Sequence, residues 1–136
     1  MTAINERMPQ NGAAPRTVLV VEDDPDLSML TTIILEEMGF RVLAAANGDQ
    51  ALYLLTGPAV IDLMVTDVVM PGTLDGVALA DRALRLRPDL RVLLVSGHPG
   101  HALERRAAGA RKNLPLLKKP FRASQLEAAI RELLGD

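Results

Sequence analysis

Carboxylates end two apolar runs of this sequence, and a cluster of them could bind a cation or accept a transferred group. Glu22, Asp23 and Asp24 directly follow one run, and Asp67 follows another. Carboxylates that lie close together repel each other, which raises their pKa values unless a cation compensates the charge. A hard divalent cation such as Mg²⁺ (or Mn²⁺) prefers oxygen ligands. Glu22, Asp23 and Asp67 are therefore candidate metal ligands, whereas Asp24 before Pro25 suits a helix cap.

A hydroxyl and an ammonium group, those of Ser96 and Lys119, end two further apolar runs. Phosphoryl transfer needs an in-line nucleophile and groups that stabilise charge on the equatorial oxygens. The Asp67 carboxylate can be that nucleophile and form an acyl phosphate, Lys119 can supply a positive charge, and Ser96 can donate a hydrogen bond. Each residue alone is also consistent with a cap, a turn or a solvated surface. Their joint occurrence at the ends of predicted strands indicates a shared aspartyl-phosphate site.

Five short apolar runs alternate with helical patterns, and the runs predict the strands that position these residues. The predicted strands cover residues 17–21, 41–44, 61–65, 91–95 and 114–117. The helical patterns cover residues 25–38, 49–55, 76–86, 101–108 and a segment that begins near Ser124. Continuous apolar strands are typical of a parallel sheet that is buried on both faces. The alternation predicts an α/β fold, a doubly wound five-stranded parallel sheet with five helices, which binds ligands beyond the carboxyl ends of its strands.

Two of the helices carry more specific predictions. The first has an apolar stripe that we expect to be buried, formed by Leu27, Leu30, Ile34 and Met38. In the last helix, Ser124 and Glu127 have the spacing of a capping box, in which two side chains satisfy backbone N–H groups at the helix start.

Composition argues against several other classes of function. The 136 residues suffice for one domain, which we expect at 16–136 after a flexible tail at 1–15. The chain has no cysteine, a formal net charge of −2 and no long basic run, so thiolate chemistry and nucleic-acid binding are not indicated. No apolar run reaches the ~18–20 residues of a membrane helix, and no signal peptide is apparent. These features predict a cytoplasmic protein that does not bind membranes.

Several segments, taken together, resemble the receiver domains of response regulators in two-component signalling. They are Val18-Leu-Val-Val-Glu-Asp-Asp-Pro-Asp-Leu27, Asp67-Val-Val-Met-Pro-Gly72, Leu74-Asp-Gly76, Val95-Ser-Gly97 and Lys119-Pro-Phe121. The resemblance covers about Arg16 to Leu134, nearly the whole chain, and it implies a flavodoxin-like sheet with strand order 2-1-3-4-5.

The resemblance also implies a role for each residue at the strand ends. Asp67 would accept a phosphoryl group from the phosphohistidine of a histidine kinase or of a histidine phosphotransfer protein. Asp23 would bind Mg²⁺ directly, Glu22 would act mainly through water, and the backbone carbonyl of Val69 would complete the protein ligands. Such a domain catalyses only its own phosphorylation and dephosphorylation and is otherwise not an enzyme.

Two further roles follow from the same resemblance. Ser96 stands where the family has the hydroxyl that turns toward the phosphate, and Lys119 stands where it has the phosphate-binding lysine. Pro120 would follow Lys119 through a cis peptide bond. Lys118 competes with Lys119, but alternate side chains of a strand point to opposite faces, and the Lys-Pro-Phe register favours Lys119.

The sequence departs from the family at the position that often carries Tyr or Phe on the fifth strand, which is Leu116 here. Without an aromatic relay, the signal passes through Ser96 and the helix that follows it, or the switch is muted. Val69 and His98 occupy the two positions that tune water attack on the phosphate in this family. Val69 cannot orient a water molecule, which favours a longer-lived phosphate, whereas the sign of the His98 effect stays open.

The sequence leaves the output of this switch open. We expect a downstream protein partner on the face formed by the fourth and fifth strands and the helices that follow them. The chain is either a stand-alone receiver or a receiver from a larger kinase, and a homodimer is left open.

Three other functions compete with the phosphoryl switch. The first is a pseudo-receiver that binds proteins without phosphorylation, against which the complete set of site residues argues. The second is a phosphatase of the haloacid-dehalogenase type, which would need an aspartate where Val69 stands. The third is a flavodoxin-like nucleotide binder, but the acidic residues after the first strand would repel phosphate in the absence of a metal.

Overall fold

The computed structural model describes residues 15–72 and 74–135, in which five strands and five helices alternate. The strands are β1 (Thr17–Val21), β2 (Arg41–Ala45), β3 (Leu63–Asp67), β4 (Arg91–Ser96) and β5 (Leu116–Lys118). The helices are α1 (Pro25–Glu37), α2 (Gly48–Thr56), α3 (Gly76–Leu86), α4 (Pro99–Ala108) and α5 (Ala123–Leu134). The predicted tail at 1–15 lies, apart from Pro15, outside the described residues.

The strands form one parallel sheet in the order β2-β1-β3-β4-β5. The predicted α/β fold and its strand order are therefore confirmed. In the register of the sheet, Asp67 is opposite Val95, and Ser96 is opposite Lys118. Because all strands run in one direction, the residues at their carboxyl ends share one edge of the sheet.

Apolar side chains pack on both faces of this sheet. On one face Leu19, Val21, Met64 and Leu94 pack with residues of α2, α3 and α4. On the other face Val18, Val20, Leu63, Val65, Leu93 and Val95 pack with Ile34 and Leu35 of α1 and with Leu126 and Ile130 of α5. Each such side chain, when fully buried, contributes roughly 1.5–3 kcal/mol. This two-sided core holds the strand ends rigidly in place.

No helix in the described part of the chain has both the length and the apolar character needed to span a bilayer.

Two strands differ from the predicted ranges by two residues. β3 begins at Leu63 rather than at residue 61 and runs as far as Asp67, so the candidate nucleophile is itself the last residue of a strand. β5 begins at Leu116 rather than at residue 114, because Pro115 has no N–H group to donate to a neighbouring strand.

The first helix begins at Pro25 as predicted, but part of its predicted buried stripe is wrong. The buried residues of α1 are Thr31, Ile34 and Leu35. Leu30 is 50% exposed. Residues spaced by three and four positions define the covered face of a helix, and the covered face of α1 shares Ile34 with the predicted stripe but is turned toward Thr31 and Leu35, away from Leu30. Asp24 caps this helix by accepting the N–H groups of Asp26 and Leu27.

The predicted capping box of the last helix is also wrong. The helix begins at Ala123, and the N–H group of Arg122 donates to Oε1 of Gln125 over 2.7 Å. The capping interaction therefore lies two residues before the predicted pair, and Ser124 is already inside the helix. Glu127 instead lies 3.9 Å from the Arg131 guanidinium, one turn further along the helix.

Gly76, the first residue of α3, packs against the backbone of the candidate nucleophile. Its N–H group donates to the carbonyl oxygen of Val68 over 2.8 Å. A Cβ atom on Gly76 would lie 2.0 Å from the carbonyl oxygen of Asp67. The sequence Asp75-Gly76 thus permits a close approach of α3 to the end of β3.

We expect Gly76→Ala to lower the free energy of unfolding by roughly 3 kcal/mol, because the added methyl group must displace the β3 backbone. Gly100→Ala is the matched control, since a Cβ atom there meets nothing within 4 Å, and it should be neutral or stabilising by about 0.4–1 kcal/mol. Urea denaturation of both variants measures the difference. Equal stabilities would contradict the proposed close approach.

Candidate phosphoryl and metal site

Four strand ends bring the candidate residues together at the carboxyl edge of the sheet. Glu22 follows β1, Asp67 ends β3, Ser96 ends β4 and Lys119 follows β5. Carboxylate oxygens of Glu22, Asp23 and Asp67 lie within 4.8 Å of one another. The predicted cluster is thus present in the structure, with two of its carboxylates on buried residues and that of Asp23 exposed.

The Lys119 ammonium group bridges two of these carboxylates. Its Nζ atom lies 2.8 Å from Oε1 of Glu22 and 3.0 Å from Oδ2 of Asp67. Burial lowers the pKa of Lys119, but the hydrogen bonds to Glu22 and Asp67 outweigh burial and raise it overall. Lys119 is therefore a fixed cation in contact with the candidate nucleophile. Lys118, the competing candidate, is exposed and ends β5.

Asp67 is the most strongly perturbed carboxylate of the cluster. Burial, together with the negative charges of Glu22 and Asp23, raises its pKa from 3.8 to about 6, although Lys119 acts in the opposite direction. The carboxylate of Asp67 is therefore ionised at neutral pH, but its ionisation is less favourable than that of a free aspartate, even with Lys119 beside it. A further cation at this position would offset this cost, because an opposite charge favours the ionised form.

Glu22 and Asp24 have separate structural tasks in the acidic segment after β1. Oε2 of Glu22 accepts the N–H group of Asp24 over 3.1 Å, so both oxygens of Glu22 are engaged and its side chain is held in the site. The carboxylate of Asp24 caps α1, which confirms the prediction that Asp24 is a cap.

Ser96 reaches the same edge, but its side chain is engaged with its own loop. The residue is 1% exposed, and its Oγ atom accepts the N–H group of His98 over 2.9 Å. His98 is the N-cap of α4 and makes no capping hydrogen bond with its side chain. The hydroxyl is thus tied directly to the start of the next helix.

Two further predictions concern residues beside the site. The peptide bond between Lys119 and Pro120 is cis, as the resemblance implied. Val69 lies on the loop after β3 and is 46% exposed, next to the buried Val68. That its carbonyl oxygen is a metal ligand stays a prediction.

The donor set fits a hard divalent cation. Three carboxylates with oxygens in mutual reach match the oxygen ligands that Mg²⁺ takes in proteins. Burial, together with the charges of Glu22 and Asp23, raises the pKa of Asp67 despite Lys119, so a bound cation would favour its ionised form. The residues present therefore suit the metal that the sequence predicted.

One contact near the site was not predicted. Asp75 caps α3 by accepting the N–H group of Ala78 over 2.8 Å, and its other oxygen accepts Nε of Arg105 in α4 over 2.6 Å. The cap has a local signal, since Asp75 precedes the helix start. The ion pair spans 30 residues of sequence, and no local pattern indicates it.

The family described as Response regulator receiver domain matches residues 18–131 of this chain. The chain belongs to this family, and it is a receiver domain of two-component signalling.

Known proteins of this family resemble the chain over most of its length. The response regulator receiver protein CpdR of Brucella abortus is 33% identical over 119 residues, which cover 88% of this chain and 97% of CpdR. The sensor kinase CckA of the same organism is 34% identical over 119 residues, which cover 87% of this chain but 12% of CckA. The crystal structure of a response regulator receiver protein from Sinorhizobium medicae superimposes with a TM-score of 0.80 at 30% identity, covering 89% of this chain and 95% of that one.

We expect Asp67→Asn to stabilise the protein in EDTA at pH 7.5, by roughly 1–3 kcal/mol. Because the pKa of Asp67 is raised to about 6, the native state binds more protons than the unfolded state between about pH 4 and 6. The unfolding free energy of the parent protein therefore falls as the pH rises through this window.

The stabilisation by Asn should consequently disappear below about pH 4, where Asp67 is protonated in both states. Urea denaturation from pH 3.5 to 8 measures this dependence. Asp89→Asn, on an exposed turn, is the control and should leave the pH profile unchanged. A destabilised Asp67→Asn at pH 7.5 would contradict the assigned electrostatics.

Proposed function

We propose that this receiver domain accepts a phosphoryl group on the carboxylate of Asp67, from the phosphohistidine of a histidine kinase or a histidine phosphotransfer protein. The observation that carries the proposal is the contact of Lys119 Nζ with Oδ2 of Asp67, 3.0 Å, beside two further carboxylates. A buried carboxylate paired with a lysine alone would be a structural ion pair. The additional acidic groups give this one a reason to bind a cation, which could then offset the charge of a phosphoryl group.

In the proposed step, one oxygen of Asp67 attacks the phosphorus in line with the donor imidazole. The O–P bond forms as the P–N bond breaks, and the electron pair stays on the imidazole nitrogen, which takes up a proton from solvent. The Asp67 carboxylate loses its own negative charge in this step. The Lys119 ammonium group can then pair with one of the phosphoryl oxygens instead. The hydroxyl of Ser96 can donate to a second oxygen while still accepting the N–H group of His98.

Glu22, Asp23, Asp67 and the carbonyl oxygen of Val69 would hold Mg²⁺ at this site. Bound there, the ion supplies positive charge to the oxygens that surround the phosphorus. Asp67 remains ionised at neutral pH with or without this help, because its raised pKa of about 6 is still below 7. The protein itself therefore prepares the nucleophile.

The donor protein must cover the carboxyl edge of the sheet, because its imidazole has to reach Asp67 in line. Large apolar side chains of α1 are exposed beside this edge, namely those of Met29 (64%), Leu30 (50%) and Ile33 (46%). Apolar side chains grouped on one helix face are typical of protein contacts. We assign the donor to this face of α1.

The output would pass through β4, α4, β5 and α5 to a downstream protein. Leu116 is partly buried against the core, so no aromatic side chain on β5 reports the state of Ser96. The direct hydrogen bond from the His98 N–H group to Ser96 offers another route, from the hydroxyl to the start of α4. A receiver without phosphorylation would need neither this hydroxyl nor Lys119 at the site.

We expect the protein, incubated with Mg²⁺ and a small acyl-phosphate donor, to gain the mass of one phosphoryl group in a base-labile form. Lys119→Ala should slow this reaction by roughly 10²–10³-fold, since one fixed charge at the transferring group is lost. Lys118→Ala is the matched control on the neighbouring exposed residue and should react normally. Intact-mass spectrometry over time measures the rates.

The proposal fails if the parent protein gains no adduct, or if Asp67→Asn gains the same adduct. Equal rates for the two lysine variants would contradict the role of Lys119 while leaving acceptance at Asp67 standing. Omission of Mg²⁺ should abolish the reaction or slow it strongly.

A further inference from the structure

Arg105 of α4 pairs with a carboxylate that belongs to the start of α3. Its Nε atom lies 2.6 Å from Oδ2 of Asp75, and Asp75 immediately precedes Gly76, whose N–H group bonds to the carbonyl oxygen of Val68. The ion pair therefore connects α4 to the backbone next to Asp67. Through this side-chain contact, the fourth helix is tied to the loop that follows the candidate nucleophile.

A second carboxylate on α3 faces the same region of α4 and is only half satisfied. Oδ2 of Asp81 accepts the N–H group of Ala110, just after α4, over 3.1 Å. Its Oδ1 atom is buried and has no hydrogen-bond partner within the described residues. An unpaired buried acceptor is unfavourable. The charge of Asp81 also acts on Arg105, raising its pKa in the same direction as Asp75 does.

α4 is held by few contacts, so a small change in energy can move it. Ala102 is its one buried residue, and helices with little buried surface open or shift most easily. Near its end, Gly109 approaches α3 closely, since a Cβ atom there would lie 2.7 Å from Cγ1 of Val77. The polar contacts with α3 thus carry much of its positioning.

We propose that Arg105 is a two-position latch for α4, paired with Asp75 when Lys119 holds the free Asp67 carboxylate and with Oδ1 of Asp81 when Asp67 is phosphorylated. The inference rests on the proposed function. Arg105 can take Oδ1 without displacing Ala110 from Oδ2, so the exchange satisfies a buried acceptor. The exchange of partners would change the position of α4 and does not require an aromatic side chain at position 116, where this chain has leucine.

Charge at the site gives the exchange its direction. Mg²⁺ carries two positive charges and beryllofluoride, a mimic of the phosphoryl group, carries one negative charge, so loading both makes the site more positive. This repels the Arg105 cation from Asp75, which adjoins the site. Asp81 lies six residues further along α3, about 9 Å at the rise of a helix, and receives the displaced cation.

Two isosteric variants of the full chain test the latch by the affinity for Mg²⁺ in a fixed excess of beryllofluoride, so that both ligands load in the measured step, and calorimetry measures this affinity. Asp75→Asn removes the charge that holds Arg105 in the first position and should tighten binding by about 3- to 10-fold. Asp81→Asn removes the second position and should weaken binding by a similar factor. Asparagine keeps the acceptor oxygens for Ala78 and Ala110, so both variants retain these contacts.

A background variant separates the latch from general structural effects. When Asp75→Asn or Asp81→Asn is added to the Arg105→Gln variant, the two double variants should have the same affinity. The Nε–H resonance of Arg105 should shift on loading in the parent protein and stay in place in Asp81→Asn.

Changes of the same sign in the two variants, or no change, would overturn the latch while leaving phosphoryl acceptance intact. A parent protein that fails to bind beryllofluoride with Mg²⁺ would overturn the proposed function and the latch with it. Opposite signs that persist in Arg105→Gln would show that Arg105 does not carry the effect.

Discussion

Negative charge crowded at one edge of the sheet is the constraint on which this structure depends. Glu22, Asp23 and Asp67 place carboxylate oxygens within 4.8 Å of one another, and Lys119 compensates two of them through contacts of 2.8 and 3.0 Å. Burial, together with the charges of Glu22 and Asp23, still raises the pKa of Asp67 to about 6 despite Lys119. The rigid two-sided core keeps the carboxylates together despite their repulsion, and a bound cation would relieve the repulsion that remains.

The elements around this edge are attached to it by single, directed contacts, through which a change at the site would reach them. The Ser96 hydroxyl accepts the first N–H group of the α4 cap. On the other side, Gly76 packs against the Asp67 backbone and places Asp75 where Arg105 of α4 reaches it. A helix with one buried residue that is tied at two points to the reacting centre is suited to move when the charge there changes. Phosphorylation replaces the single negative charge of the Asp67 carboxylate with about −1.5 to −2 charges on the phosphoryl group, before the metal is counted.

The site could be predicted from the sequence because its residues end continuous apolar runs, and parallel strands bring such ends together. Features that depend on packing between distant elements could not. The exposure of Leu30 depends on how α1 lies across the sheet, and the cap at Arg122 depends on where the chain turns after Pro120. The pair of Asp75 and Arg105 joins two helices. Strand order followed from family resemblance, since alternation alone does not distinguish the doubly wound topologies.

The central claim is that Asp67 itself receives the phosphoryl group. Its most direct test is to phosphorylate the protein with an acyl-phosphate donor and Mg²⁺, reduce the acyl phosphate with borohydride, and locate the product by peptide mass spectrometry. We expect homoserine in place of aspartate at position 67 and nowhere else. Reduction at another carboxylate, or a stable phosphate on Ser96 or a histidine, would contradict it.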